Sequence, residues 1–410
     1  MSNYTDFFPQ GGTDLIPGVV QKVTDNYFQS AQGTGFLDIN DRVLIDLSLY
    51  PELNNNLFVP NWSSTSLQQE INNPTPVDSD NFGKEISMYG DTLVVGAHWD
   101  DTGATNAGSV YVYVRSGTTW SLQQTINNPS PTSEDWFGIS VSIYGDTLVV
   151  GANLDETGGG INTGSVYIYT RSGTTWSLQQ TISNPTPVDA DYFGGSVSLY
   201  GDTLVVGTSS DDTGATDAGS VYVYTRSGTT WSLQQTINNP SPVASDYFGN
   251  SVSLYGDTLV AAASQDDTGA SNAGSVYVYV RSGVTWSLQQ TINNPTPVVD
   301  DIFGVSICIY DDTLVIGASQ DDTGATNAGS VYVYTRFGST WSLQETISSL
   351  TPVASDLFGH SVTLYSDTLV VGAYQDDTGA GNTGSVYVYT TAEAGTFSIQ
   401  AQDKVLKTLK

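Results

Sequence analysis

The chain has few cations and no long apolar run. Its 410 residues include 11 Lys and Arg against 42 Asp and Glu, which gives a formal net charge of −31 at pH 7. A surface this acidic repels phosphate backbones, so the composition argues against nucleic acid as a partner. No stretch reaches the roughly 18 apolar residues that a membrane-spanning helix needs, and we expect no membrane insertion.

Cysteine is also rare, and the sequence shows no pattern of an export signal. Cys308 is the one cysteine, so no intrachain disulfide framework can form. It lies in the apolar run Ser-Ile-Cys-Ile-Tyr, which predicts a packed small side chain rather than a reactive thiol. The first residues contain no basic segment followed by an apolar one, and the sequence therefore predicts no secretory signal peptide.

What the chain does contain is one internal repeat. A Phe-Gly pair recurs at intervals of 55, 56, 55, 55 and 55 residues by subtraction, at Phe82, Phe137, Phe193, Phe248, Phe303 and Phe358. A fixed period of about fifty residues is typical of propellers, solenoids and other repeat arrays.

Each repeat predicts four short strands. In residues 191–237, Ser-Val-Ser-Leu-Tyr and Thr-Leu-Val-Val-Gly flank a tight Gly-Asp turn, and Ser-Val-Tyr-Val-Tyr-Thr alternates strictly. A Ser-Gly-Thr-Thr turn then leads to Trp-Ser-Leu-Gln-Gln-Thr-Ile. Asn-Pro segments join the repeats, and their prolines block further strand pairing. The pattern predicts an all-β chain without long amphipathic helices.

Residues 28–71 read as a degenerate additional copy. Phe28 stands 54 residues before Phe82 by subtraction, and Thr65-Ser-Leu-Gln-Gln-Glu-Ile71 matches the last strand of the repeat. We therefore predict a seven-bladed β-propeller of four-stranded antiparallel blades over residues 25–403, because radial packing hides sheet edges. Residues 1–24 form a short non-repeat N-terminal arm in this prediction, with Tyr4, Phe7 and Phe8 as anchoring side chains, and 404–410 form a basic tail.

The repeat resembles the FG-GAP repeats of integrin α-subunits and of many bacterial and viral surface proteins. The residues that carry the resemblance are Phe-Gly-x-Ser-Val, Leu-Val-Val-Gly-Ala and Gly-Ser-Val-Tyr-Val-Tyr. The resemblance implies a seven-bladed propeller used for adhesion or ligand binding without catalysis. Its calcium loops do not carry over, because Tyr200-Gly201-Asp202 is too short to supply six or seven oxygen ligands.

Acidic doublets follow the second strand of each repeat, on the face that we call upper. The upper face holds the loops between second and third strands and the connections between repeats. Each doublet opens an Asp-x-x-Gly turn, and sixfold repetition suits a backbone-bonding turn better than one catalytic centre. Weak Ca²⁺ binding is the alternative, since carboxylates and loop carbonyls suit a hard cation. The predicted metal candidates are Asp100, Asp101, Asp211, Asp212, Asp266, Asp267, Asp321, Asp322, Asp376 and Asp377.

The upper face also holds the positions at which the copies differ. One precedes each Phe-Gly pair and another follows each Gly-Ala pair. Exposed aromatic side chains beside carboxylates and amides suit sugar binding by stacking and hydrogen bonding, although ordinary loop packing is the other interpretation. The predicted ligand-binding residues are His98, Trp99, Trp136, Tyr192, Tyr247 and Tyr374.

These features predict a non-enzymatic virion structural or adhesion protein that binds host surface glycan or protein. The opening Asn-Tyr-Thr-Asp-Phe-Phe-Pro resembles marine phage structural and fibre proteins, and it predicts docking to other virion proteins through the arm. A bacterial extracellular adhesin or lectin is the alternative, followed by a polysaccharide-acting enzyme. No nucleophile elbow, P-loop, zinc spacing or dinucleotide fingerprint occurs.

Overall fold

The structure is a computed structural model. It describes residues 69–349, 351–377 and 384–390, together with four short strands nearer the N-terminus. The chain divides into two compact units, Met1–Thr65 and Ser66–Lys410. Every regular element in these described ranges is a β-strand. The described residues contain no helix long and apolar enough to cross a membrane.

In the first unit the described strands form one small sheet. They are β1 (Lys22–Thr24), β2 (Tyr27–Gln29), β3 (Thr34–Leu37) and β4 (Val43–Leu44), paired antiparallel in chain order. The anchoring residues Tyr4, Phe7 and Phe8 and the basic tail 404–410 lie outside the described residues, so both predictions stay predictions.

The second unit holds six antiparallel sheets, which we call blades 1 to 6. Strands pair in chain order within each blade, and the first strands of successive blades lie side by side. The bounds are β5 (Ile86–Tyr89), β6 (Thr92–Ala97), β7 (Ser109–Ser116) and β8 (Thr119–Asn127) in blade 1; β9 (Ser140–Tyr144), β10 (Thr147–Ala152), β11 (Ser165–Ser172) and β12 (Thr175–Ser183) in blade 2; β13 (Ser196–Tyr200), β14 (Thr203–Thr208), β15 (Ser220–Ser227) and β16 (Thr230–Asn238) in blade 3; β17 (Phe248–Tyr255), β18 (Thr258–Ala263), β19 (Ser275–Ser282) and β20 (Thr285–Asn293) in blade 4; β21 (Ser306–Tyr310), β22 (Thr313–Ala318), β23 (Ser330–Phe337) and β24 (Thr340–Ser348) in blade 5; and β25 (Ser361–Tyr365), β26 (Thr368–Ala373) and β27 (Ser385–Thr390) in blade 6.

The predicted count of seven blades is wrong, because the propeller has six. Residues 28–65, read as most of a degenerate first blade, fall in the other compact unit, and their strands are only two to four residues long. The matching segment at the end of that copy belongs to the six-blade unit instead. Gln69 Nε2 donates to the carbonyl of Trp120 at 2.8 Å, and the Trp120 amide donates to Gln69 Oε1 at 2.7 Å.

This reciprocal pair repeats between the outer strands of neighbouring blades. Gln180 and Trp231 make the same two bonds, at 2.9 Å each. Gln69 therefore occupies the same position relative to blade 1 that Gln180, in the outer strand of blade 2, occupies relative to blade 3. The likeness of residues 65–71 to a blade's last strand is real, but it does not imply a seventh blade built from residue 28 onward.

The apolar core lies in layers between neighbouring blades. In one layer, Val149, Val166 and Ile168 of blade 2 pack with Phe193 and Leu199 of blade 3. Strict alternation in the strands sends one set of side chains towards each neighbour, because successive residues point to opposite faces. The Phe of every Phe-Gly pair from Phe137 onward is fully buried and meets a third-strand tyrosine edge-on, as Phe193 meets Tyr222 at 5.6 Å between ring centroids.

The two ends of the blade series leave such faces uncovered. Ile86 on β5 is 62% exposed, whereas the equivalent Val141 on β9 is 8% exposed. Val386 and Val388 on β27 are also exposed, although their counterparts in the blade 3 strand β15 are buried. These end faces have the composition of the layers between blades.

Near the first strands, hydrogen bonds join each blade to the next. Ser142 Oγ accepts the amide of Leu199 at 3.0 Å, and Ser198 Oγ accepts the amide of Leu254 at 3.0 Å. Cys308 occupies this serine position in blade 5, where the Leu364 amide donates to its Sγ at 3.3 Å. Burial raises the pKa of the Cys308 thiol. The cysteine thus packs as a small side chain, as its apolar surroundings predict.

On the lower face, opposite the upper one, each of blades 1 to 5 carries an arginine. Arg226 Nε donates to Asp202 Oδ1 at 2.7 Å, and its guanidinium lies 5.3 Å from the Trp231 ring centroid. Its Nη1 also donates to Thr147 Oγ1 of the preceding blade at 2.7 Å. The ion pair and ring contact recur at Arg115, Arg171, Arg281 and Arg336. Because the arrangement repeats in these five blades, we interpret it as structural. Each exposed ion pair contributes about 0–1 kcal/mol to the stability of the fold.

Candidate functional site: the upper face

Backbone hydrogen bonds between neighbouring blades build the upper face. The loop after β14 pairs with the connection that leads into blade 4: the Tyr247 amide donates to the Asp217 carbonyl at 3.1 Å, and the Phe248 amide donates to Ala218 at 3.0 Å. The residue before each Phe-Gly pair therefore adopts a left-handed conformation, with φ of 57° at Trp136, 60° at Tyr192 and 49° at Ile302. Each such side chain is half-buried.

The first acid of each doublet is a structural group. Asp211 is buried, its Oδ1 accepts the Thr213 amide at 2.8 Å, and its Oδ2 accepts the Tyr222 hydroxyl at 2.8 Å. Asp100, Asp155, Asp266 and Asp321 make the same two contacts. Asp376 accepts the Tyr387 hydroxyl. These bonds are those of the predicted Asp-x-x-Gly turn.

The second acid turns to a different donor. Asp212 Oδ1 accepts the Asp217 amide at 2.9 Å, and Asp101, Asp267 and Asp322 do the same with the residue five positions on. The two carboxylates of a doublet thus serve separate backbone turns. Within the described ranges no group of three or more His, Cys, Asp or Glu side chains is placed to hold a metal ion. The calcium alternative gains no support from this geometry.

A third acid, two residues before each Phe, is buried beneath these loops. Asp191 Oδ2 accepts the Asn184 side-chain amide at 2.6 Å and the Val188 backbone amide at 2.8 Å. Asp301 accepts the equivalent pair, both at 2.7 Å. Desolvation by burial, only partly offset by these donors, raises the pKa of both Asp191 and Asp301 from 3.8 to about 6. The sequence motif alone gave no sign of these shifts.

These shifted carboxyls predict a pH dependence of stability. The folded protein keeps two protons that the unfolded chain releases between about pH 4 and pH 6, so the free energy of unfolding falls as pH rises through that window. We expect thermal melts to give a Tm several degrees higher at pH 4.5 than at pH 7. In the double variant Asp191→Asn with Asp301→Asn, which keeps an acceptor oxygen but cannot ionise, that slope should flatten. An unchanged slope would contradict the assignment.

Beyond the repeated loops, one part of the upper face breaks the pseudo-symmetry. His98 at the end of the second strand of blade 1 lies 5.5 Å from Trp99 and 5.6 Å from Trp136 of blade 2, between ring centroids. Trp99 and Trp136 lie 6.2 Å apart. We call these three residues the aromatic cluster. The positions equivalent to His98 in blades 3 to 5 are Ser209, Ser264 and Ser319, so no comparable cluster arises there.

The aromatic cluster contains polar atoms without protein partners. His98 is 1% exposed, yet neither of its ring nitrogens makes a hydrogen bond among the described residues. Trp99 Nε1 is likewise buried and unpaired among the described residues. Burial, with a smaller contribution from the charge of Lys84, lowers the pKa of His98 to about 4, so the ring is neutral at pH 7. Unpaired buried atoms also occur in other blades, as at the Tyr224 hydroxyl, so what distinguishes this cluster is its three adjoining rings.

Blade 6 carries a ring pair at the equivalent positions of its own upper face. His360 follows the Phe-Gly pair of blade 6, and its ring lies 4.5 Å from that of Tyr374. Desolvation first, and then the positive charge of Lys84, lowers the pKa of His360. Lys84 holds the equivalent position in blade 1, next to Gly83, whose amide donates to the carbonyl of Gly96 at 3.0 Å on the strand that leads to His98. We call Lys84, His98, Trp99, Trp136, His360 and Tyr374 the asymmetric sector.

The predicted ligand residues thus separate into two groups. His98, Trp99 and Trp136 form one cluster, and Tyr374 lies beside His360 in the same sector. Tyr192 and Tyr247 occupy the Trp136 position in blades 3 and 4, and among the described residues neither makes a ring–ring contact. Lys84 and His360 were not predicted as ligand residues. The signal that could have found them is that the residue after the Phe-Gly pair differs in every repeat.

Comparison with protein-family models identifies the repeat. The FG-GAP repeat model matches six segments, 67–113, 120–169, 176–224, 231–279, 286–334 and 341–389. The chain belongs to the FG-GAP repeat family. A comparison with curated protein sequences found no match. From the second segment on, each FG-GAP match begins in the outer strand of one blade and ends in the third strand of the next, and none of the six covers the strands β1 to β4.

The FG-GAP repeats of this chain lack room for calcium between their first two strands. β13 ends at Tyr200 and β14 begins at Thr203, and these two residues pair directly across a two-residue turn. The carboxylate of that turn, Asp202, is held by Arg226 on the lower face. The six repeats therefore share the family's blade, while the asymmetric sector is particular to the blades 6, 1 and 2 of this chain.

Proposed function

We propose that this FG-GAP protein is a non-enzymatic binding protein that recognises surface carbohydrate through the asymmetric sector of its upper face. The observation that carries the proposal is the aromatic cluster, where buried His98 keeps both nitrogens unpaired beside two half-buried indoles. Sugars bind proteins through ring faces stacked on aromatic side chains and hydroxyls bonded to polar atoms. The two half-buried indoles supply the stacking surface.

The repeated parts of the upper face support this choice by elimination. Their carboxylates are bonded to backbone amides and tyrosine hydroxyls of their own loops, in one blade after another. A group already held by its own loop has little left to offer a ligand. Recognition is therefore expected where the copies differ and not where they agree.

Placement on a virus particle, with docking to other virion proteins through residues 1–24, remains part of the proposal. It is supported by the likeness of the N-terminal residues to marine phage structural proteins. Mass spectrometry of gradient-purified particles from the source culture tests it, since stoichiometric peptides are expected there. Recovery only in the cell envelope or medium would favour the extracellular adhesin.

A glycan array compared across matched variants tests carbohydrate recognition. Trp136→Ala should weaken binding to the glycan that the unaltered protein selects by about tenfold, which corresponds to the loss of about 1.4 kcal/mol with one aromatic stacking partner. Ile302→Ala is the matched control, since Ile302 holds the same left-handed position in blade 5. Equal loss in both variants, or no glycan bound by the unaltered protein, would contradict the proposal.

A further inference from the structure

Almost all positively charged side chains of the propeller form structural ion pairs. Between residues 69 and 390 the chain has five arginines and one lysine. Every arginine is paired with an aspartate on the lower face. Lys84 makes no ion pair among the described residues, and its side chain is exposed. In a chain with net charge −31, the one uncommitted cation of the blades lies in the asymmetric sector.

The surroundings of Lys84 leave its charge available. Its charge contributes to the lowered pKa values of His98 and His360, which are both neutral at pH 7, and it opposes the rise in the pKa of the adjacent Glu85. Burial raises the pKa of Glu85 to about 7, so that carboxyl is only partly ionised at neutral pH. The acids of the repeated loops are bonded elsewhere, and charges farther away than about 8 Å are screened at physiological salt.

We propose that the carbohydrate bound at the asymmetric sector is an acidic one, whose carboxylate or sulfate pairs with Lys84 while its ring stacks on Trp136. This inference rests on the proposed function. Blade 1 carries the free ammonium beside the stacking surface, because the Gly83 amide donates to the Gly96 carbonyl at 3.0 Å and the Trp99 amide donates to the Asp80 carbonyl at 3.3 Å. The Trp136 ring of blade 2 lies 6.2 Å from that of Trp99. The surrounding negative field still excludes polyanions such as nucleic acid, because only one cation faces many carboxylates.

Matched pairs of oligosaccharides on the array provide the test. Each pair joins a neutral parent to its sialylated, uronate-bearing or sulfated form, so the arms distinguish carboxylate from sulfate. The unaltered protein should bind an acidic member about tenfold more tightly than its neutral parent, as expected for one charge-assisted hydrogen bond. Lys84→Gln should erase that preference, and Lys84→Arg should retain it.

Two further readouts separate the outcomes. Raising salt should weaken acidic-glycan binding by the unaltered protein more than by Lys84→Gln, and both proteins should melt at the same temperature because Lys84 is exposed. Equal binding of neutral and acidic members would overturn the acidic ligand while leaving carbohydrate recognition intact. Binding of no oligosaccharide would overturn the proposed function itself, and this inference with it.

Discussion

Replacing Gly219 with alanine is expected to prevent stable folding of the propeller. Gly219 has φ of +85°, and a Cβ built on it would lie 2.1 Å from the carbonyl oxygen of Phe248 and 2.5 Å from its amide nitrogen. Both atoms are backbone, and the Phe248 amide is already bonded to Ala218 at 3.0 Å, so neither can move aside without breaking the junction of blades 3 and 4. We expect a loss above about 4 kcal/mol in the free energy of unfolding, measured by urea denaturation.

Gly228→Ala is the control for this substitution. Gly228 also has positive φ, +62°, but a Cβ there would meet nothing within 4 Å. It should lose only about 1 kcal/mol, the ordinary cost of a left-handed alanine. The difference between the two variants isolates the close approach of neighbouring blades. Similar losses in both would show that the backbone contact at Gly219 is not the constraint described here.

Replacing Tyr222 with phenylalanine is expected to lower the free energy of unfolding by about 1–3 kcal/mol, because it leaves a buried carboxylate short of a donor. The Tyr222 hydroxyl bonds Asp211 Oδ2 at 2.8 Å and Thr186 Oγ1 at 2.7 Å, and Tyr222 and Asp211 are both buried. Removing one oxygen therefore disturbs the turn and the connection that build the upper face. Urea denaturation gives the size of the loss.

Tyr224→Phe, two residues along the same strand, is the matched control. Tyr224 is also buried, but its hydroxyl makes no hydrogen bond within the described part of the chain. Its removal should change the free energy of unfolding by less than about 0.5 kcal/mol. If Tyr224→Phe cost as much as Tyr222→Phe, the hydrogen bond to Asp211 would not explain the tyrosine in each repeat.

Much of the blade could be predicted from the sequence, because its determinants are local. The alternation of Ser-Val-Tyr-Val-Tyr-Thr predicts β15, and the Gly-Asp turn predicts the hairpin of β13 and β14. Both elements occur at the predicted positions. The number of blades depends on long-range packing and not on local pattern. The strand-like match at residues 65–71 suggested a seventh copy, whereas Gln69 pairs with Trp120 as part of the six-blade series.

The candidate site could be predicted only in part for the same reason. Variation among near-identical copies identified His98, Trp99 and Trp136, and the structure brings these rings together. His360 lies 276 residues after Lys84 by subtraction, so nothing local links the two. The charge of Lys84 acts on His360 only through the arrangement of the blades. The unpaired state of the His98 nitrogens likewise depends on neighbours from two blades.

Hydroxyl-radical footprinting with and without the selected glycan tests the central claim most directly. Oxidation of aromatic and histidine side chains reports where the ligand covers the surface. The account predicts protection of Trp99, Trp136, His360 and Tyr374, with Tyr192 and Tyr247 oxidised equally in both states. Protection spread over the equivalent positions of all six blades, or confined to Tyr192 and Tyr247, would contradict a binding site in the asymmetric sector.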